Sequence, residues 1–234
     1  MSFTRLLAML IFALVLLSGC SNQVVKTAEM KKPNRFAIVS VIGSTTGLGM
    51  SENEEVALLS RVDEIVSKEL NQAKSFRLSS SSQVKQSRSY AAIKGDSTDG
   101  IFTGKAAQGY KKFDITSESE APNLKKLMSE LKLTGVIQVS AYYSVKSGGF
   151  TLSGIAPIPI PLSAGTSSGH IVFAIVAVNN ANEVIWRDMV EVTSKDSVGK
   201  IMGIGNTNAL QPKLIDISQE AIRTAMVNLD EKLK

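Results

Sequence analysis

The sequence predicts an α/β fold in which helices pack on one mixed β-sheet to form a two-layer sandwich. Three patterns support this prediction: a β-branched apolar run at residues 36–42, helical spacing of apolar residues at 56–70, and strict alternation at 136–145. The expected order of elements is β-α-β-α-β-β-β-α. Because strands and helices interleave along the chain, we expect a single domain over residues 36–234.

The first strand and the helix that follows it are the best-marked elements. The run Phe36–Ile42 is typical of a buried strand, and Ser51 with Glu54 has the spacing of a capping box. The helix should end near residue 72, and its apolar side is formed by Val56, Leu59, Val62, Val66 and Leu70. A short second strand is expected at 76–78.

The middle of the chain contains an insertion before the second helix. Residues 83–121 are rich in Ser, Gly, Lys and Asp, and we expect irregular structure there with one short helix near Tyr90. Pro122 then opens a helix, because the missing proline N–H costs little at an early helical position. The helix leads through Gly135 into the alternating strand 136–145.

The remaining elements are a hairpin and a closing helix. Residues 171–178 are apolar on both faces, and the chain returns through 184–192 after the turn Asn179-Asn180-Ala181-Asn182. A last helix from about 212 to 233 carries one apolar stripe, which should complete the core.

The amino terminus has the pattern of an export signal. Arg5 precedes an apolar run that is too short to span a membrane, and Leu17-Ser18-Gly19-Cys20 follows it. These four residues resemble the lipobox of bacterial lipoproteins. The resemblance implies a signal peptide at 1–19, cleavage between Gly19 and Cys20, and fatty acylation of Cys20, with palmitate among its acyl chains. It also implies that Cys20 holds the protein in a membrane through its lipid.

Ser21, by the sorting rule of enteric lipoproteins, implies the outer membrane, with the domain facing the periplasm. Residues 20–35 are polar and without periodicity, so we expect a lipidated cysteine followed by a flexible tether.

The residue inventory argues against an enzyme. The chain has one histidine, His170, and one cysteine, so neither a zinc site nor a second catalytic histidine is available. The glycine cluster 43–49 lacks the Gly-Lys-Ser/Thr ending of a phosphate-binding loop and is interpreted as a turn. The net charge of +5 is not focused into a basic run. We therefore expect no catalytic residues, no cofactor, no metal and no nucleic-acid partner.

A charge-free segment, Gly148–Gly169, separates the third strand from the hairpin within an expected insertion at 146–169. Its alternating prolines forbid a helix and favour extended backbone. If exposed, its apolar side chains would form an interface patch. The candidate contact residues are Ile155, Pro157, Ile158, Pro159, Ile160, Pro161 and Leu162.

Three roles for this segment remain open: a loop covering the domain's own sheet, a protein-binding site, or a hairpin that enters the membrane. The last is disfavoured because a membrane-spanning hairpin needs two strands of about 9–11 residues, and the prolines are expected to interrupt one of them.

The sequence is similar to a superfamily of periplasmic lipoproteins at three places. These are the early strand with its glycine turn, the helix-to-strand passage Leu127–Ile137, and Glu183-Val184-Ile185-Trp186 in the hairpin. This superfamily includes the curli secretion lipoprotein, the amino-terminal domain of the Tol-system propeller protein and a lipoprotein activator of a peptidoglycan synthase. The resemblance covers roughly 36–82, 122–145 and 170–233, and it implies the architecture but not the task.

The expected lipid anchor, the expected fold and the prolines of the charge-free segment together indicate the function. We expect a non-enzymatic protein-binding module that acts in assembly of the cell envelope. Its partner would be an envelope protein or a second copy of the chain. The alternative is a homo-oligomeric secretion or channel component similar to the curli secretion lipoprotein.

Overall fold

The structure is a computed structural model that describes residues 23–31, 34–45, 48–73, 76–95, 104–151, 163–195, 198–201 and 211–234. The prediction of an α/β fold with helices packed on one mixed sheet is confirmed. In the described residues the sheet has eight strands, and two of them, β5 and β6, continue past the start of the last helix.

The elements follow one another along the chain as strands β1–β8 and helices α1–α6. The strands are β1 (Val24–Val25), β2 (Asn34–Ser44), β3 (Phe76–Leu78), β4 (Lys105–Ala106), β5 (Gly135–Thr151), β6 (Ser163–Asn179), β7 (Val184–Thr193) and β8 (Val198–Ile201). The helices are α1 (Thr27–Met30), α2 (Glu52–Gln72), α3 (Ser81–Gln86), α4 (Arg88–Ala92), α5 (Ala121–Leu131) and α6 (Gln211–Leu233).

The spatial order of the sheet is β1-β7-β6-β5-β2-β3, with β4 paired to β2 and β8 paired to β6. Strand β2 is parallel to both β3 and β5, while the remaining pairs are antiparallel. Helices separate the parallel strands along the chain, while the antiparallel part is centred on the consecutive hairpins β5–β6 and β6–β7. This division explains why the sheet is mixed.

Helices α2 and α6 cover one face of the sheet. The predicted capping box starts α2: Ser51 Oγ accepts a hydrogen bond from the Glu54 backbone N–H at 3.4 Å, and the Ser51 N–H donates to Glu54 Oε2 at 2.8 Å. Together with the sheet, the two helices enclose the larger buried cluster, which includes Leu59, Val66, Phe173, Trp186 and Leu229. This face is the core that the sequence predicts.

A smaller layer covers part of the opposite face. It is formed by α3, α4, α5 and the segment before α5, and its buried residues include Tyr90, Phe113, Leu127 and Val178. The Gln138 side chain on β5 holds this layer, donating to the Phe113 carbonyl at 2.8 Å and accepting from the Ile115 N–H at 3.2 Å. The insertion that looked irregular in sequence therefore contributes buried residues.

The prediction of a flexible tether through Arg35 is wrong for the residues that the structure describes. Strand β1 pairs with β7, and the Lys26 N–H donates to the Ile185 carbonyl at 2.8 Å. Met30 is 0% exposed, inside the larger cluster. Main-chain pairing, the buried Met30 side chain and the polar contacts of Gln23 and Lys26 hold this segment, and none of these features requires apolar periodicity in the sequence.

Candidate functional site

The residues predicted to carry function lie outside the described part of the chain. This applies to Gly19 and Cys20 at the cleavage site and to the contact residues 155–162. The structure does define the backbone that flanks them. Gln23 follows Cys20 by three positions. Thr151 and Ser163 border residues 152–162, which we call the proline-rich segment.

Strands β5 and β6 form a long hairpin that passes the end of helix α6. A Cβ placed on Gly169 would lie 3.1 Å from Leu214 Cδ2, so the first turns of α6 lie against this point of β6. The helix then runs towards β7, where Asn228 Nδ2 donates to Asp188 Oδ2 at 2.9 Å. The pairing of β5 with β6 continues in the opposite direction, from Lys146↔Ser168 to Thr151↔Ser163.

We call this extension the β-arm and define it as residues 146–151, 163–168 and 198–201. Strand β8 joins it through four pairs with β6, from Ala164↔Ile201 to Ser167↔Val198. At about 3.3 Å per residue, the β-arm adds roughly 20 Å to the sheet beyond Gly169. It carries the ends of the proline-rich segment away from α6.

The length of the proline-rich segment limits what it can cover. The eleven residues 152–162, doubled back on themselves, can reach at most about 20 Å from Thr151, since an extended chain spans about 3.3–3.6 Å per residue. Tyr142 is nine residues back along β5, or about 30 Å. A loop that folds over the sheet beside Tyr142 is therefore out of reach along the strands.

The described parts of β5 and β6 contain no proline, and each is 17 residues long. The expectation that prolines interrupt one strand of this hairpin concerns Pro157, Pro159 and Pro161, which lie outside the described residues. The two strands are longer than the sequence pattern predicts, because Gly148–Thr151 and Ser163–Gly169, which lack apolar alternation, pair through their main chains.

A second feature is a part of the sheet that the smaller layer leaves uncovered. Tyr142 pairs with Val172, and Ala174 pairs with Met189, so these side chains lie on the same face as one another. Tyr142, Val172 and Ala174 are half-buried and belong to neither buried cluster, while Met189 is 48% exposed.

Val24 on β1 extends this surface. It pairs with Arg187, which shares a face with Met189 two residues later, and its exposure is 38%. We call this surface the open face and define it as Val24, Tyr142, Val172, Ala174 and Met189. The charged residues Arg187 and Glu191 of β7 share this face, since Glu191 pairs with Val172, so the open face is amphipathic.

The edge of β7 next to the open face carries a buried carboxylate. Asp188 Oδ1 accepts a hydrogen bond from the Met189 N–H at 2.9 Å, and Oδ2 accepts from Asn228 Nδ2 at 2.9 Å and from Gln23 Nε2 at 3.5 Å. Burial raises the pKa of the Asp188 carboxyl, against the effect of these hydrogen bonds. A carboxylate that occupies an edge N–H discourages addition of a further strand at that point.

His170 has a structural environment. The ring Nδ1 lies 3.0 Å from Thr193 Oγ1 on the neighbouring strand, and Nε2 lies 4.0 Å from Glu191 Oε2. The residue is buried inside β6 and does not open the strand, because β6 begins at Ser163. In the described ranges, no group of three or more His, Cys, Asp and Glu residues could hold a metal ion.

A polar cluster that the sequence did not predict lies between α2 and the insertion. Tyr110 donates its hydroxyl to Asp63 Oδ1 at 3.0 Å, and Lys85 Nζ lies 4.0 Å from the centroid of the Tyr110 ring. Burial raises the pKa of both Asp63 and Tyr110. A cleft of about 270 Å³ adjoins the cluster and is lined by Ile38, Ser67, Asn71, Leu78, Ser79, Ser80, Ser81 and Tyr110.

The Asp63 cluster serves to hold the insertion on α2. Its atoms are paired with one another, and the Lys85 amino group donates to the Gln108 carbonyl at 2.8 Å. No helix in the described part of the chain is long and apolar enough to cross a bilayer. The β-arm and the open face therefore remain as the two candidate interaction surfaces.

No protein-family model matches this chain, and no curated protein matches it. Among solved structures, it is similar to a crystal structure described as a neuraminyllactose-binding hemagglutinin homolog from Helicobacter pylori. The match has a TM-score of 0.42 and 10% sequence identity, and it covers 87% of this chain and 84% of that chain.

Proposed function

We propose that this protein is a lipoprotein of the outer membrane that faces the periplasm and binds a protein partner in envelope assembly without catalysing a reaction. Lipid on Cys20 would hold it in the membrane. Its general class would be that of the periplasmic lipoprotein superfamily that it resembles. The proline-rich segment 152–162 would be the contact, presented on the β-arm.

The observation that carries this proposal is the length of the β5–β6 hairpin. Because the hairpin extends about 20 Å past Gly169, segment 152–162 begins and ends far from both buried clusters. A covering loop was the main alternative, and the reach of eleven residues excludes the sheet beside Tyr142 as its target. A partner would provide the apolar surface against which these side chains pack.

The test is site-specific photocrosslinking in cells that make the lipidated protein. A photoreactive amino acid at Ile158 or Ile160 is expected to give one discrete adduct, whose second component mass spectrometry would identify. The matched control places the same amino acid at Val227, which is 56% exposed on α6, and it should not give this adduct. Ile158→Asp should abolish the adduct obtained from position 160.

The proposal fails if positions 155–162 yield no adduct while the same positions in the purified monomer are protected from a water-soluble label. That pair of results would mean that the segment is buried within its own chain. Enzymatic turnover lost in His170→Ala, with the fold intact, would instead overturn the non-enzymatic assignment.

A second candidate function is a homo-oligomeric secretion or channel component. The observation that favours it is the hairpin itself, because the pairing of β5 with β6 continues for six residues on each strand beyond Gly169 and could join neighbouring copies of the chain. Its test is the mass of the detergent-extracted lipidated protein beside a version lacking residues 1–20. A large discrete oligomer in the lipidated form, with adducts between two copies at Ile158, would favour this candidate over the first.

A further inference from the structure

The described chain begins as a strap across the sheet edge. Residues 23–31, the N-terminal strap, are held by main-chain pairing of β1 with β7 and by the buried Met30. The ion pair between Lys26 Nζ and Glu183 Oε2 at 2.8 Å adds a further contact, as does the hydrogen bond from Gln23 Nε2 to Asp188 Oδ2 at 3.5 Å. The strap therefore fixes the position at which the chain leaves the domain.

This position places the lipid attachment close to the folded domain. Three residues separate Cys20 from Gln23, and an extended chain spans at most about 3.6 Å per residue, so the two lie no more than about 11 Å apart. Gln23 is at the edge of β7, beside Asp188 and Met189. Acyl chains on Cys20 would hold this edge at the membrane surface.

The open face adjoins the same edge. Val24 follows Gln23 directly, and Met189 follows Asp188, so the two most exposed residues of the open face lie next to the point of lipid attachment. The described ranges contain one other large apolar residue with high exposure, Val227. It lies on α6, and this helix covers the opposite face of the sheet. The exposed apolar side chains nearest the anchor are thus on the open face.

We propose that the open face lies against the lipid bilayer, with Val24 and Met189 in contact with the boundary between headgroups and acyl chains. This inference rests on the proposed lipidation of Cys20. An amphipathic surface binds a membrane by burying its apolar side chains in this boundary. Weak contacts are enough to orient the domain here, because the lipid anchor on the same chain keeps the surface at a high local concentration near the membrane. The domain therefore has one fixed orientation on the membrane.

The orientation is testable with single-cysteine labels, because Cys20 is the only cysteine in the chain and its sulfur would carry the lipid. Val24→Cys, Met189→Cys and Val227→Cys are each labelled with an environment-sensitive fluorophore. The lipidated proteins are reconstituted in vesicles of phosphatidylethanolamine and phosphatidylglycerol that contain a nitroxide-labelled phospholipid. We expect severalfold stronger quenching at positions 24 and 189 than at position 227.

Quenching at position 189 that is no stronger than at position 227 would overturn the orientation, and it would leave a protein as the occupant of the open face. The mass of the amino-terminal peptide separates this result from failure of the anchor. An acylated peptide with no quenching at 189 refutes the orientation alone. An unmodified Cys20 refutes the lipoprotein proposal, and the orientation with it. Labelling at 189 should not disturb folding, since its side chain is half exposed.

Discussion

At the scale of single residues, the polar groups that fix the edges of the fold are more informative than the apolar core. Asp188 connects three elements with one side chain, because it accepts hydrogen bonds from β7, α6 and the N-terminal strap. No sequence pattern marks it, since an aspartate in a strand is usually an exposed residue. Its role depends on Asn228 and Gln23, which are far from it along the chain.

We expect Asp188→Ala to destabilise the protein by about 1–3 kcal/mol, because it leaves the part-buried Met189 N–H and Asn228 amide without their acceptor. Urea denaturation of the version lacking residues 1–20 measures this change. The matched control is Met189→Ala at the next position, which should cost less than about 0.5 kcal/mol as a surface substitution. Equal effects of the two substitutions would contradict the assigned role of Asp188.

Glu130 should make the fold sensitive to acid. Hydrogen bonds from the side chains of Ser89 and Ser87 and from the Ser89 N–H lower the pKa of the Glu130 carboxyl to about 2. A carboxyl whose pKa is lower in the folded state stabilises the fold above its unfolded-state pKa. This contribution is therefore lost as the pH falls from about 4.5 to about 2.

The variant Glu130→Gln should lose this acid dependence and approach the wild type in stability at low pH. Unfolding midpoints measured at several pH values between these limits would check it. If the stabilities of the wild type and the variant change with pH in parallel, the proposed role of Glu130 is refuted. The control is Glu118→Gln, an acidic residue outside the serine cluster that binds Glu130.

At the scale of elements, the fold was predictable where local pattern and tertiary contact agree. The capping box at Ser51, the short strand at Phe76 and the turn after Asn179 were predicted with nearly their observed bounds, because each is marked by residues close together in sequence. The two-layer prediction omitted the smaller layer, because Phe113 and Ile115 are buried from a segment without periodicity.

The same reasoning explains the errors on strands β1, β5 and β6. The residues of β1 are held by main-chain hydrogen bonds to the distant strand β7, and the additional residues of β5 and β6 by main-chain hydrogen bonds to each other. Such bonds leave no apolar alternation in the sequence. The sequence indicated the candidate site only through its unusual composition, because Gly148–Gly169 contains no charged residue. Its presentation on a β-arm and the open face beside the strap could be found only from the register of the sheet.

The N-terminal strap should behave as part of the domain. Met30 is fully buried against the larger cluster, so Met30→Ala should destabilise the fold by about 2–4 kcal/mol. The exposed Met189 again provides the control, since the same change there removes little buried area. Denaturation of both variants in the version lacking residues 1–20 tests this, and a loss below about 0.5 kcal/mol at Met30 would restore the flexible tether.

At the scale of the whole molecule, the structure separates stability from interaction. Among the residues whose side chains the structure describes, both buried clusters are built outside the β-arm, while the strap and the open face meet at one edge of the sheet. The proposed partner contact lies about 40 Å from Asp188 along the strands, counting twelve residues of β6 at about 3.3 Å each. A domain oriented by its strap would therefore hold the β-arm at a defined position relative to the membrane.

This separation predicts that the β-arm can be removed without unfolding the domain. Lys146 and Ser168 lie opposite each other, so residues 147–167 can be replaced by Asn-Gly, a two-residue turn suited to joining antiparallel strands. Because the described residues of both buried clusters are retained, the free energy of unfolding should change by less than about 1 kcal/mol. The shortened protein should still be acylated and still show quenching at position 189.

Its interactions should be lost, and the manner of the loss distinguishes the two proposed functions. If the partner-binding proposal holds, the shortened protein remains monomeric like the full chain, and cells that make it lack the complex identified by crosslinking. If the β-arm forms the contact between copies, the large oligomer of the lipidated full chain disappears. A shortened chain that fails to fold, losing more than about 3 kcal/mol, would mean that the β-arm is part of the core and would refute this separation.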